Sequence, residues 1–366
     1  MEADAGYMKL ALRLARKGFG KTSPNPMVGA VLVRRNEIIG QGWHHRAGEP
    51  HAEIEALAQS RAKGGAKGGT LYVTLEPCST HGRTPPCTEA IIDAGIRRVV
   101  AAVGDPNPAH NGQGFQILER AGLEVVSGVL AKEAAALNET FFHWIVSGRP
   151  FVTVKAAMSL DGKIATVTGE SKWITGEAAR AQGMRLRAGA DAVLVGINTI
   201  LQDDPGLTVR GRWEKRGRPG RRIILDARAR TPLRARVLSD AAAGTTTVVV
   251  TRAAPRERVA ALQKKAQVLV APATKKGIHL PWLLDRLGRE KVIALLVEGG
   301  GETNASFLEQ GLAQRVSFFY APIVLGGRDA AKAVAGKGLP QGVRLEEAVW
   351  RRLGSDLFLT ARPRER

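Results

Sequence analysis

A chain of 366 residues with 44% hydrophobic content is long enough for two or three domains and apolar enough to bury a core in each, which argues against fibrous and disordered classes. No run of about 18 apolar residues occurs, the start Met1-Glu2-Ala3-Asp4 carries no apolar signal core, and two cysteines cannot staple so long a chain; a reducing cytoplasm and no membrane partner are expected. The net charge of +20 invites a nucleic-acid partner, but residues 1–148 hold 16 basic and 14 acidic side chains, whereas the remainder holds 38 and 20. Six of seven histidines and both cysteines lie in the near-neutral half.

Helical and strand patterns alternate along the first half. Helices are expected at 8–16, 51–59, 88–94 and 114–121, and strands at 28–33, 70–75, 99–103 and 124–126. Val146-Ser147-Gly148-Arg149-Pro150 is a Gly/Pro break too short for a long flexible linker. It separates a domain at 1–147 from one at 150–366. The second half continues with strands at 151–154, 192–195, 222–225, 247–250, 267–270 and 293–297, so both halves predict α/β layers. Residues 207–236, with 11 Lys/Arg and two acids, read as a basic loop, and 362–366 as a frayed tail.

Three pieces of the first half carry metal chemistry: His51-Ala52-Glu53, Pro77-Cys78 and Pro86-Cys87. One imidazole and two thiolates suit Zn²⁺ with a fourth position for water, and Glu53 can sit beside the metal as an acid/base without ligating it. A structural zinc completed by His81 or His44 is the competing reading. The H-x-E…P-C pattern is that of zinc nucleobase deaminases, except that their second cysteine follows at C-x-x-C while Cys78 and Cys87 are nine apart. With Gly40-Gln41-Gly42-Trp43-His44, Thr22-Ser23-Pro24-Asn25-Pro26-Met27-Val28-Gly29 and the insertion Gly82-Arg83-Thr84-Pro85-Pro86-Cys87, this half resembles the riboflavin-biosynthesis deaminase family, in which the longer insertion is characteristic. Asn25 is the implied substrate residue, and Asp105-Pro106-Asn107-Pro108 is assigned to the same rim. Gly112-Gln113-Gly114 lacks the third glycine of a dinucleotide fingerprint and reads as a turn into a helix.

In the second half, a strand at 295–297 runs through Glu298 into Gly299-Gly300-Gly301 and a helix, a turn that lets main-chain N–H groups approach a phosphate. Together with Ser159-Leu160-Asp161-Gly162-Lys163, Gly169-Glu170-Ser171-Lys172-Trp173 and Asp203-Asp204-Pro205-Gly206-Leu207, it resembles the riboflavin-biosynthesis reductase family over roughly residues 152–327. The resemblance implies a cytidine-deaminase-like three-layer α/β/α domain followed by a dihydrofolate-reductase-like α/β domain. It implies NADPH contacts at Ala157, Trp173, Thr199, Asp203, Gly300, Gly301, Glu302, Thr303, Asn304, Ala305 and Ser306. Substrate contacts are implied at Ser171, Arg187, Leu207, Arg210 and Glu298, with Arg187 and Arg210 suited to clamp a ribose phosphate. Ala227 stands where the family often has Ser, which puts one cofactor hydrogen bond in doubt.

The implied activity is bifunctional. A zinc-bound hydroxide deaminates 2,5-diamino-6-(ribosylamino)-4(3H)-pyrimidinone 5′-phosphate, with Glu53 moving the proton, and NADPH then reduces ribosyl to ribityl. Asp161 and Lys155 are the polar candidates for the proton donor of the second step. The implied partners are a phosphorylated pyrimidine and further copies of the chain, with no nucleic acid. Two other readings compete: a nucleoside or tRNA-base deaminase with a basic appendage, and a nucleic-acid module. The second rests on charge alone, since only 5% of residues are aromatic.

Overall fold

The two halves that differ in charge are separate units, Met1–Gly148 and Arg149–Arg366, in the computed structural model, which describes residues 2–80, 85–108, 110–171, 174–216, 220–338 and 342–364. In the first unit, α1 (Glu2–Ala15) leads to the hairpin β1 (Gly29–Arg34) and β2 (Glu37–Trp43). There follow α2 (Ala52–Ser60), β3 (Thr70–Val73), α3 (Cys87–Asp93), β4 (Arg98–Ala101), α4 (Gln113–Arg120), β5 (Glu124–Ser127), α5 (Ala131–Leu137) and α6 (Glu139–Ser147). The sheet order is β2-β1-β3-β4-β5, antiparallel through β2-β1-β3 and parallel beyond. Alternation along β1 explains the layers. Ala30 and Leu32 join Ala56, Ile91 and Leu118 on one face, while Val31 and Val33 join Met8, Leu12 and Ala134 on the other. This is the three-layer α/β/α arrangement that the resemblance implied.

The hairpin strand β2 escapes a reading by pattern, because Gly40 and Gly42 break its apolar run. Their purpose is contact. A Cβ on Gly40 would lie 2.0 Å from the Ala56 carbonyl oxygen, and one on Gly42 would lie 2.3 Å from that of Ala52, so α2 rests directly on the strand. The turn before β2 places Arg35 and Asn36 at φ 51° and 63°, the left-handed pair that a tight hairpin requires.

The second unit runs β6 (Phe151–Ser159), α7 (Glu177–Ala188), β7 (Ala192–Gly196), α8 (Ile197–Asp203), β8 (Arg221–Leu225), α9 (Arg236–Ser239), β9 (Thr246–Val250), α10 (Arg256–Gln263) and β10 (Gln267–Val270). A two-stranded ribbon follows, β11 (Ala273–Thr274) with β12 (Gly277–Ile278). The chain then forms α11 (Leu280–Arg289), β13 (Ala294–Val297), α12 (Gly301–Glu309), β14 (Arg315–Ala321), β15 (Leu345–Leu353) and β16 (Asp356–Pro363). Nine strands order as β10-β9-β8-β7-β13-β6-β14-β16-β15, parallel as far as β14 and antiparallel after it. On β7, Leu194 enters the core with Leu283, Leu287 and Phe307, whereas Val193 and Val195 enter the core with Ile224, Val248 and Leu262. The unit has the dihydrofolate-reductase-like α/β fold that was expected.

One expectation fails here. Arg362 and Pro363 are not a frayed tail: Pro363 pairs with Leu345 in the β15–β16 ladder, and Arg364 N donates to the Arg344 carbonyl at 2.9 Å. Strands β14 to β16 were not anticipated either. Strand β15, Leu-Glu-Glu-Ala-Val-Trp-Arg-Arg-Leu, is exposed along all but its last residue, so no buried face repeats in its sequence. Among the described residues, no helix is long and apolar enough to cross a membrane.

Candidate active sites of the two units

His51 caps α2 with an extended backbone, Cys78 lies in the loop after β3, and Cys87 opens α3. The His51 Nδ1 is 3.3 Å from Cys87 Sγ and 3.5 Å from Cys78 Sγ, and the three ligand atoms lie within 4.8 Å of one another. The main-chain N–H of Cys87 donates to Cys78 Sγ at 3.3 Å. Hydrogen bonds from the Cys87 side chain and from His51 hold the Cys78 thiol well below its ordinary range. Beside this cluster Glu53 is only 3% exposed, and its Oε2 has no hydrogen-bond partner. Burial pushes its carboxyl upward. An unpaired buried carboxylate oxygen is costly unless a ligand or water meets it, so the donor set and its neighbour fit a zinc ion with an open position.

The competing fourth ligands fare differently. His81 lies outside the described residues. His44 is engaged elsewhere: its Nδ1 donates to the Pro50 carbonyl at 3.1 Å, leaving Nε2 to accept from the Asn25 amide at 3.1 Å. Burial lowers its pKa and favours this neutral ring. Asn25 therefore has its N–H side held, with its carbonyl oxygen left for a ligand. Asn138 pins the same loop, accepting from Met27 N at 2.7 Å and donating to its carbonyl at 2.9 Å.

One residue passed over in the motif organises the other rim. Glu76, 6% exposed and two residues before Cys78, accepts from the N–H groups of Asp105 (2.9 Å), Gly112 (3.1 Å) and Gly114 (2.8 Å). It thereby ties residues 105–114 to the metal loop. Gly112, at φ 76°, starts α4, so the partial glycine motif is a turn and helix start.

In the second unit the candidates gather at the carboxyl ends of β6, β7 and β13, the edge where open parallel sheets take ligands. Gly300 caps α12, and a Cβ on Gly196 would fall 2.6 Å from Thr303 Oγ1, so the two strand-to-helix turns interlock. The faces of α12 divide. Glu302, Thr303 and Ser306 line a cavity, whereas Asn304 is buried and donates to the Ala333 carbonyl at 2.8 Å. Gly301 abuts Lys332 and Ala335, and Ala305 is 3% exposed. Gly301, Asn304 and Ala305 thus have only main-chain atoms to offer a phosphate. Thr199 is the nearest group to the space above Gly300, at 3.9 Å from a Cβ built there. Ala157 is half-buried on β6, and Trp173 lies outside the described residues.

In the structure, Arg187 and Arg210 stand in different surroundings. Arg187 Nε and Nη2 grip Glu298 at 2.6 and 2.8 Å, and its Nη1 donates to the Thr208 carbonyl at 3.1 Å. The bidentate edge expected for a phosphate is already on a carboxylate. Burial works against the Glu298 charge, but Arg187 and then Lys155, 3.6 Å away, overcome it and bring the pKa down to about 2. Arg210 remains exposed. Leu207 is buried at φ 53°, and Ser171 Oγ donates to Asp203 Oδ1 at 3.0 Å, joining a substrate candidate to a cofactor candidate. Asp161 is a loop tie: it accepts from Ser159 Oγ (2.6 Å), Leu325 N (3.0 Å) and Gly326 N (2.8 Å), which lower its pKa to about 2. A carboxylate so held is a poor proton donor near neutrality. Lys155 is the better of the two candidates.

Residues 1–103 match the cytidine and deoxycytidylate deaminase zinc-binding region, and residues 150–359 match the RibD C-terminal domain. The chain is 45% identical over 358 residues to riboflavin biosynthesis protein RibD of Aquifex aeolicus, covering 98% of both chains. It is 40% identical over 335 residues to the Escherichia coli protein, covering 88% of this chain and 89% of the other. Among solved structures, Acinetobacter baumannii RibD aligns with a TM-score of 0.88 at 37% identity, covering 100% of this chain and 99% of that one. The Thermotoga maritima diaminohydroxyphosphoribosylaminopyrimidine deaminase/5-amino-6-(5-phosphoribosylamino)uracil reductase aligns at 0.84 and 34%, covering 99% of each. These matches span both units and remove the reading of the second as a basic appendage. With a histidine–dicysteine cluster in one unit and a glycine-turn cavity in the other, the chain belongs to the RibD family of bifunctional riboflavin-biosynthesis enzymes, zinc-dependent deaminases joined to NADPH-dependent reductases.

Proposed function

We propose that His51, Cys78 and Cys87 hold the zinc and that Glu53 is the proton carrier for removal of the ring amine from 2,5-diamino-6-(ribosylamino)-4(3H)-pyrimidinone 5′-phosphate. The observation that carries this is the buried, unpaired Oε2 of Glu53 beside the three ligand atoms. Bound there, zinc lowers the pKa of a water so that it is a nucleophile near neutrality. Glu53 would carry two protons in turn, the first from the attacking water to the ring nitrogen and the second from the hydroxyl so added to the amine, which leaves as ammonia. The free carbonyl oxygen of Asn25 orients the ring, and Glu76 holds residues 105–114 as the opposite wall.

The second unit carries the ribosyl-to-ribityl reduction. NADPH supplies the hydride when bound along the turn at Gly300, with Thr199, Asp203, Thr303 and Ser306 beside it. Lys155 stands within ion-pair reach of Glu298 and is the proton donor assigned to the opening ribose. Arg210 is the arginine left for the substrate phosphate, with Ser171 and Leu207 in the same wall. Glu53→Gln tests the first assignment: ammonia release should fall by about 10²-fold or more while zinc content and NADPH oxidation on deaminated substrate persist. Full ammonia release with zinc retained would overturn it.

The chain acts in the cytoplasm as a homo-oligomer without a nucleic-acid partner. Support for assembly comes from β15 and β16, where Val349 (51%), Trp350 (56%) and Leu357 (44%) stand exposed on a sheet edge. Light scattering of Trp350→Glu should report a smaller particle than the wild type.

A further inference from the structure

The match to the zinc-binding deaminase region ends at residue 103, yet a side chain well beyond it, Asn138, reaches back 111 residues to the loop that carries Asn25. Asn138 stands at the junction of α5 and α6 and is 2% exposed. Its backbone is fixed on both sides: its N–H donates to the carbonyls of Ala134 (3.3 Å) and Ala135 (3.1 Å), and its own carbonyl accepts from Phe142 N (2.9 Å). Ala134 is fully buried in the core cluster with Met8, Leu12 and Val31, so the junction rests on the layer that also supports β1. From this base the Asn138 side chain pairs with a single residue, Met27, accepting from its N–H at 2.7 Å and donating to its carbonyl at 2.9 Å. A carboxamide carries an acceptor and a donor side by side, so it gives Met27, which lies outside any strand, the pairing that a neighbouring strand would give.

Two residues before Met27, the N–H of Asn25 donates to the Thr22 carbonyl at 2.9 Å, and its side-chain amide donates to His44 Nε2 at 3.1 Å. The His44 ring in turn meets the His51 ring edge to face, with 5.4 Å between centroids. Contacts therefore run without a break from the start of α6 through Met27, Asn25 and His44 to His51 of the metal cluster. His44 holds the Asn25 amide, but the main chain beneath that amide is held by Asn138. We propose that Asn138 is a positioning residue for the deamination: through Met27 it sets where the Asn25 carbonyl oxygen stands relative to the metal cluster, and so how the pyrimidine ring is turned. The proposal rests on the reading of Asn25 as a substrate residue and deepens it. It gives α5 and α6 a share in the first reaction. A displacement of an orienting group by about 1 Å is enough to cost about 10²-fold in rate, even when its cause lies away from the reacting atoms.

A double-mutant cycle on the full chain tests the assignment, with kcat/KM for ammonia release measured for the wild type, Asn25→Ala, Asn138→Leu and the pair together. Asn138→Leu removes both hydrogen bonds at similar volume and should lower kcat/KM by about tenfold or more, with zinc content and NADPH oxidation on deaminated substrate unchanged. In the Asn25→Ala background the same change should cost no more than about twofold, because the group it positions is gone. Asn138→Asp keeps the acceptor for Met27 N but sets an oxygen against the Met27 carbonyl. It should show the same pattern and serves in place of leucine where that variant does not fold. An equal loss in both backgrounds would overturn the proposal by marking Asn138 as structural only, and so would full activity of the Asn138 variants beside an impaired Asn25→Ala. Full activity of Asn25→Ala would overturn the substrate reading of Asn25 and the proposal with it.

Discussion

Glu53 and Glu298 are both buried carboxylates, and their neighbours push them in opposite directions. Glu53 has burial without a paired oxygen at Oε2 and moves up, while Glu298 has two cations and moves down to about 2. Because the folded pKa of Glu298 lies below its ordinary 4.5, its contribution is present above about pH 4.5 and is lost as pH falls toward 2, up to about 3 kcal/mol. Urea titrations from about pH 6 to about pH 3 should show a steeper loss of stability in the wild type than in Glu298→Gln. Glu76 makes its contribution through three main-chain donors. Glu76→Gln turns an amide N–H₂ toward those donors and should lower deaminase kcat/KM by about tenfold or more with zinc retained, measured by ammonia release beside metal analysis. His51, Glu53, Cys78 and Cys87 are legible in sequence because ligand chemistry is a property of the side chain itself. Glu76 was not, because its role lies in which distant N–H groups meet it, and the Arg187–Glu298 pair was not, because the two residues are 111 apart in the chain.

At the scale of elements, α2 is the part that aims His51 and Glu53, and two glycines of β2 set its height. Gly42→Ala places a methyl 2.3 Å from the Ala52 carbonyl oxygen and 2.6 Å from Glu55 Cβ, at the first turn of α2. The helix must shift, so zinc stoichiometry and deaminase activity should fall together while NADPH oxidation on deaminated substrate stays within about twofold, since the change lies in the other unit. The central strands were readable because burial on both faces makes them continuous apolar runs, as in Ala192-Val193-Leu194-Val195. Strand β2 and the exposed strand β15 were not, since what makes them strands is a helix resting on glycines in one case and a ladder onto β16 in the other.

For the whole molecule, charge divides by unit: of the +20, the residues after Gly148 hold +18. Both ligands of that unit are phosphorylated, so raising ionic strength from about 0.05 to about 0.5 M should lower kcat/KM of the reductase more steeply than that of the deaminase, as steady-state assays of the two steps would show. The amino-acid sequence determined the two-unit division, the α/β class, the His51, Cys78 and Cys87 cluster with Glu53 beside it, and the glycine turn, because these depend on residue type at short spacing. Tertiary structure alone decided that Arg187 belongs to Glu298, that half of α12 faces a core, that Asp161 ties a loop, and that Asn138 holds Met27. Each of those depends on which groups far apart in the chain meet within hydrogen-bonding distance, about 3 Å, and that is set by the fold.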